Sequence, residues 1–215
     1  MIIKSFVNNP FQENSYILAD PESRQCVLID PGMSTDREWA SVKTYLEEEQ
    51  LTPVEVWLTH THVDHMMGTG YLVEQYGITI AGPVEDFELL PSAVMQSQLF
   101  GIPLHKEVAP VVRNIKEGDV LKVGRYSVHV YDIPGHSFHG LCYYVSEEKI
   151  LFSGDVLFFC SIGRSDFGPR MGGNGELLIE GIRTKLMSLP PETKVYAGHG
   201  PMTTIQNEIT CNPYF

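Results

Sequence analysis

The hydrophobic pattern shifts between strand-like and helix-like periods along the chain. Ile2–Val7 reads as a first strand, closed by the turn residues Asn8-Asn9-Pro10. Asn14–Ala19 and Gln25–Ile29 are apolar runs joined by Asp20-Pro21-Glu22-Ser23, which predicts an antiparallel pair, and Asp30-Pro31-Gly32 closes the second. From Thr35 or Asp36 to Gln50 the period lengthens. Trp39, Val42 and Leu46 recur at helical spacing, and Ser34 or Thr35 can cap that helix. Val54–Leu58 predicts a buried strand, Gly68–Tyr76 a helix, and Ile78–Ala81 a short strand. Val84–Leu104 is interrupted by Pro91 and Pro103 and predicts a helix followed by a mobile flap.

Beyond Ile115 the pattern turns to strands. Asp119–Val123 and Tyr126–Tyr131 flank Gly124-Arg125, and Leu141–Val145 and Lys149–Ser153 flank Ser146-Glu147-Glu148. Gly175–Ser188 is amphipathic with Leu178, Ile182 and Leu186 inward. Val195–Ala197 is a last strand, and the tail Thr203–Phe215 holds one short helix. This order predicts an α/β fold in which two mixed sheets pack face to face with helices outside. No internal repeat is visible and no linker is long enough to divide the chain, so residues 1–215 are expected to form a single domain.

Composition narrows the function. Hydrophobic residues make up 43%, enough for a sizeable core, and the formal charge of -12 argues against a nucleic-acid partner, which needs a basic face. Bound divalent cations would offset part of that charge. No run approaches the ~20 apolar residues of a spanning helix, and Met1–Val7 lacks the order of a signal peptide, so a cytoplasmic protein is expected. The four cysteines form no Cys-x-x-Cys pair and read as reduced thiols, with Cys26, Cys142 and Cys211 in the core. Cys160 lies close enough in sequence to Asp155 to approach a site there, but packing is the reading adopted.

The chemistry concentrates in Thr59-His60-Thr61-His62-Val63-Asp64-His65, directly after the Val54–Leu58 strand. His60 and His62 point the same way in an extended segment, because side-chain direction repeats every second residue. Asp64 and His65 follow the turn and can aim elsewhere, so one loop can supply two adjacent metal positions. Imidazole and carboxylate suit zinc, iron or manganese. Three more candidate ligands sit beside glycines after apolar runs: His136 in Ile133-Pro134-Gly135-His136-Ser137, Asp155 in Phe152-Ser153-Gly154-Asp155, and His199 in Tyr196-Ala197-Gly198-His199-Gly200. Of the remaining histidines, His105 is expected on the surface or flap and His129 on a solvent face. His139, three residues beyond His136, could support the ligands from behind.

In combination these motifs resemble the metallo-β-lactamase-fold hydrolases over nearly the whole chain. The resemblance implies an αββα sandwich with metals at the edge between its sheets. It implies that His60, His62 and His136 hold one metal, that Asp64, His65 and His199 hold a second, and that Asp155 bridges both. An Asp at 155, in place of a thiol, is similar to the hydrolases and unlike the antibiotic-cleaving β-lactamases. Gln12-Glu13-Asn14-Ser15-Tyr16, Ser161–Phe167 and His199–Thr204 resemble the short glyoxalase II-like group of hydroxyacylglutathione hydrolase type. Two departures stand out. This chain stops soon after His199, where full-length glyoxalase II enzymes carry a helical extension that binds glutathione, and Phe138-His139-Gly140 replaces the usual Pro-Gly.

The implied activity is hydrolysis of a thioester by a metal-bound hydroxide, with two divalent ions, zinc first and iron or manganese as alternatives. Asp64 and Asp155 are the catalytic candidates; Asp64 would shuttle a proton if only one metal were present. Arg164 and Asp166 could bind a substrate carboxylate or pin their loop to each other. The alternatives are a mononuclear-iron sulfur dioxygenase acting on glutathione persulfide, with His60, His136 and Asp155 as ligands, or a lactonase or other ester hydrolase.

Overall fold

The computed structural model describes all 215 residues. The first sheet contains β1 (Ile2–Asn8), β2 (Glu13–Ala19), β3 (Gln25–Ile29), β4 (Thr52–Trp57), β5 (Thr79–Gly82) and β6 (Arg113–Asn114), paired in that order. β1–β3 are antiparallel neighbours, as the turn chemistry predicts, whereas β3–β6 pair parallel. The second sheet contains β7 (Val120–Val123), β8 (Tyr126–Asp132), β9 (Leu141–Val145), β10 (Ile150–Gly154), β13 (Lys194–Ala197) and β14 (Thr203–Thr204), in the spatial order β14-β13-β10-β9-β8-β7. A small hairpin, β11 (Leu157–Phe158) and β12 (Ser161–Ile162), stands apart.

The sheets pack face to face. One apolar cluster joins Tyr16, Leu18, Val27, Ile29 and Trp57 of the first to Val128, Tyr143 and Phe152 of the second. The outer face of the first sheet is covered by α1 (Asp36–Glu48) through Val42 and Leu46 and by α3 (Thr69–Tyr76) through Leu72. The outer face of the second meets α6 (Gly175–Gly181) and α7 (Ile205–Cys211). This is the expected αββα sandwich of two mixed sheets. No helix is long and apolar enough to cross a membrane.

Local chemistry sets the helix ends. Thr35 caps α1 in a reciprocal box with Glu38, and Trp39 is half-buried, stacked on Tyr71 at 5.7 Å. Leu178, Ile182 and Leu186 are all buried. Their spacing of four exceeds the α-helical period of about 3.6, and after α6 the backbone widens into a π turn over Ile182–Leu186, which keeps them on one face.

Three expectations are corrected. Val84–Leu104 forms two helices, α4 (Val84–Leu89) and α5 (Ala93–Phe100), where one helix and a flap were expected; Pro91 falls between them and ends the first. The chain becomes helical by Val63, in the short α2 (Val63–Met66), before the expected start at Gly68. Cys211 is exposed on α7 instead of buried; Cys26 and Cys142 are buried.

Candidate metal centre

The ligand-bearing loops meet at one edge of the sandwich. β4 delivers His60 and His62, α2 carries Asp64 and His65, and the loop after β8 carries His136. The ends of β10 and β13 bring Asp155 and His199. The parallel pairing of β10 with β13 places these last two side by side. Gly154, at φ 48°, turns the chain sharply before Asp155. At Gly198 a Cβ would stand 2.2 Å from Asp155 Oδ1, so only glycine lets the backbone approach this closely.

All seven candidate residues converge. Ligand atoms of His60, His62 and His136 lie within 4.8 Å of one another, as do those of His60, His65 and Asp155, and those of Asp64, His65 and His199. The Asp155 carboxylate sits among the groups: Oδ1 is 3.4 Å from His65 Nε2, and Oδ2 is 3.4 Å from His136 Nε2 and 3.5 Å from His199 Nε2.

Hydrogen bonds on the outer side of the cluster fix the imidazole tautomers. Thr59 Oγ1 spends its one hydrogen on Asp30 Oδ2 at 2.7 Å, so the 3.0 Å contact with His60 Nδ1 must be donated by the ring. His136 Nδ1 donates to the Arg164 carbonyl at 2.7 Å, His65 Nδ1 to Asp30 Oδ2 at 3.1 Å, and His199 Nδ1 to the Phe11 carbonyl at 3.1 Å. In the neutral rings that a metal requires, each Nε2 therefore turns a bare lone pair inward. His60 Nε2 and His136 Nε2 both face His62 Nδ1, at 3.1 and 2.9 Å, and one imidazole hydrogen cannot serve both. His65 Nε2 and Asp155 Oδ1 are buried without any hydrogen-bond partner. Lone pairs facing lone pairs and carboxylates in a buried space match a cation site.

The electrostatics divide the ligands: burial opposes charge on His65 and His199, but the carboxylates of Asp155 and Asp64 outweigh it and raise both, so a bound cation would displace those protons. Burial, with the neighbouring imidazoles, holds His60 well below its ordinary pKa, and burial together with His136 pushes His62 down to about 3, so both stay in the neutral form that a metal requires. Burial pushes the Asp155 carboxyl up, but His65, His199 and His136 outweigh it and hold Asp155 well below the carboxylate range.

Several residues in the site carry no signal in the sequence pattern. Asp30, read above as turn chemistry, accepts from both Thr59 N and Thr59 Oγ1 and orients His65. Asn9 holds the carbonyls of Gly32 and Asp64. Thr61, between the first two histidines, is clamped on every polar atom. Its N–H and hydroxyl donate to Asp86 Oδ2 at 2.8 and 2.9 Å, and its carbonyl accepts from Gln96 Nε2 at 3.2 Å. Gln96 Oε1 also accepts from Val63 N at 3.0 Å, so α4 and α5 buttress the ligand loop.

The spare histidines fall outside the cluster. His105 is exposed and His129 half-buried on β8. His139 bonds none of the seven; its ring pairs with Asp132 at 2.6 Å and Glu85 at 3.4 Å, and its N–H donates to Asp86. Cys160 packs 3.9 Å from Asn207 of α7. Arg164 and Asp166 pair with each other at 3.0 and 3.2 Å, both largely exposed, which is the loop-pinning arrangement. Arg164 also lines a cavity of about 370 Å³ over the histidines, together with Phe11, Phe100, Phe158 and Phe167.

Residues 8–199 match the Metallo-beta-lactamase superfamily. The chain is 36% identical to hydroxyacylglutathione hydrolase GloC of Haemophilus influenzae, over 95% of this chain and 93% of that one. Among solved structures it resembles the BLEG-1 B3 metallo-beta-lactamase, with a TM-score of 0.87 and 35% identity, covering 99% of both chains. It also resembles TTHA1623 in a di-iron-bound form, with a TM-score of 0.83 and 33% identity, covering 99% of this chain and 100% of that one. The fold, the converging ligand set and these similarities agree: the chain belongs to the metallo-β-lactamase superfamily and is a metal-dependent hydrolase with a binuclear metal-binding site.

Proposed function

We propose that this hydrolase cleaves thioesters, RC(O)SR′ + H2O giving RCO2H and R′SH. His60, His62 and His136 would hold one divalent ion, Asp64, His65 and His199 a second, and Asp155 would touch both. Zinc is the ion proposed, on the imidazole-carboxylate donor set; the di-iron form of TTHA1623 makes iron the first competitor. Bound there, the ions would lower the pKa of coordinated water from 15.7 to roughly 7 and polarise a carbonyl.

The observation that carries this reading is the position of Asp155, with one oxygen toward His65 and the other toward His136 and His199. The intact second group, Asp64, His65 and His199, supports a two-metal hydrolase over a one-iron dioxygenase. Asp64 Oδ2, 3.3 Å from His199 Nε2 on the cavity wall, would be engaged as a ligand of the second ion, and would be free to shuttle a proton only with a single ion bound. A thiolate of pKa about 8.5 leaves without a dedicated general acid, and the cavity offers none beyond the candidate ligands. The similarity to a hydroxyacylglutathione hydrolase supports the thioester class.

The test follows the thioester absorbance of S-D-lactoylglutathione with metal-loaded protein and a chelator-treated control. Metal-dependent loss of absorbance is expected. No loss from this ester and from an uncharged thioester alike, with zinc, iron or manganese restored, would overturn the thioester reading, and oxygen uptake with glutathione persulfide would then be measured.

A further inference from the structure

The cavity over the metal centre is walled by aromatic rings on both sides of the ligand cluster. Phe167 meets His62 and His136 edge-to-face, with ring centroids 5.5 and 5.6 Å apart. On the other side, Phe158 stands perpendicular to His199 at 6.1 Å, and Phe11 offers that histidine its carbonyl. Phe11 and Phe100 pack edge-to-face at 5.7 Å with each ring about two-fifths exposed, so apolar surface is left open at the site. At about 370 Å³ the cavity is at the small end of ligand pockets, which run from ~300 to ~1,000 Å³.

Its charge is as telling as its shape. Arg164 is the only lysine or arginine that lines it. That guanidinium is already engaged twice: it pairs with both oxygens of Asp166 and lies 4.5 Å over the Phe167 ring. The other ionisable lining groups are the candidate ligands His62, Asp64, His136, Asp155 and His199. A peptide thiol such as glutathione would bring its own carboxylates to a wall where the only cation besides the proposed metal ions, which the reacting carbonyl and water would engage, is one guanidinium already paired with Asp166.

We propose that the substrate is a thioester of an uncharged, apolar thiol, seated against the aromatic wall of Phe167, Phe11, Phe100 and Phe158. This rests on the thioester reading above and narrows it.

The test compares S-D-lactoylglutathione with the D-lactoyl thioester of benzyl mercaptan, which keeps the acyl group and an alkyl thiol but removes the charges. With zinc-loaded protein, kcat/KM is expected to be at least about tenfold higher for the benzyl thioester, the scale on which one well-filled apolar contact discriminates. Phe100→Ala and Phe167→Ala should shrink that ratio to within about twofold. Equal or better use of the glutathione thioester overturns the proposal and leaves thioester hydrolysis standing. If neither is cleaved, the thioester reading falls, and calorimetric titration with benzyl methyl sulfide and with S-methylglutathione decides the character of the cavity. Tighter binding of the sulfide supports an apolar site, and tighter binding of S-methylglutathione refutes it.

Discussion

Asp30 Oδ2 lies 3.1 Å from His65 Nδ1, and the same carboxylate takes both the N–H and the hydroxyl of Thr59 at 2.7 Å. One buried side chain at the end of β3 thereby sets the tautomer of His65 directly and that of His60 through Thr59. In Asp30→Asn the amide can keep its oxygen toward Thr59 N–H only by turning its NH2 toward Thr59 Oγ1 and His65. His65 would then accept at Nδ1 and carry its hydrogen on Nε2, the atom that faces the cluster. Metal affinity should fall by roughly 10–100-fold, the usual effect of losing an outer-shell partner. Competition with a chromophoric chelator measures it, and an unchanged affinity would remove Asp30 from this role.

Asp155→Ala removes the one carboxylate that faces His136 as well as His65 and His199. The variant should keep its secondary structure by circular dichroism yet retain less metal than the parent by elemental analysis, with hydrolysis lost. Full metal content together with retained activity would refute the shared role.

Asp86 ties two histidine loops together, accepting from Thr61 and, at 3.2 Å, from His139 N. Every contact of this buried carboxylate is as an acceptor, so Asp86→Asn must set an NH2 against a backbone N–H. The expected cost is about 1–3 kcal/mol, and each kcal/mol lowers Tm by about 2–4 °C in a domain of this size. Because Thr61 lies between His60 and His62, zinc affinity should weaken in parallel. A thermal melt that matches the parent would show that the loop does not need this anchor.

His139 supplies a pH signature away from the ligands. Its hydrogen bond to Asp132, aided by Glu85, raises its pKa from 6.5 to about 9. A folded-state pKa above the unfolded one means that the stabilisation is fully present below about pH 6.5 and is lost as pH rises through about 9. His139→Gln should therefore lower Tm at pH 6, with the gap to the parent closing by about pH 10. A gap that stays constant from pH 6 to pH 10 contradicts the charged pair.

The candidate ligands were legible in the sequence because metal chemistry concentrates histidine and aspartate in short loops, where apolar runs have just ended and glycine stands nearby. Their supports were not. Asp30 stands in Asp30-Pro31-Gly32, which turn chemistry explains by itself. Gln96 lies on a helix whose pattern is inverted: Gln96 and Ser97 are buried, while Val94, Met95 and Leu99 are exposed. Hydrophobic periodicity points the wrong face of such a helix inward, so the sequence pattern predicts a flap where α5 stands. β6 and the β11–β12 hairpin have strands of two residues, too short for any period to register. The sandwich itself was readable because its strands and principal helices carry undisguised apolar patterns.

β2 is stitched to the far end of the chain: Asn14 N donates to the Gly198 carbonyl, the Asn14 amide to the carbonyls of Ala197 and Gly200, and the Tyr16 hydroxyl to Ala197. A nascent chain leaves the ribosome with its first sheet complete long before these partners exist. The inner face of β2, with Tyr16 and Leu18, is covered once β8–β10 are made, but its hydrogen-bond partners at Ala197 and Gly198 and the imidazole of His199 come only with β13. Ion capture by the full ligand set must then wait until residue 199 is made, well after the first histidines have left the ribosome.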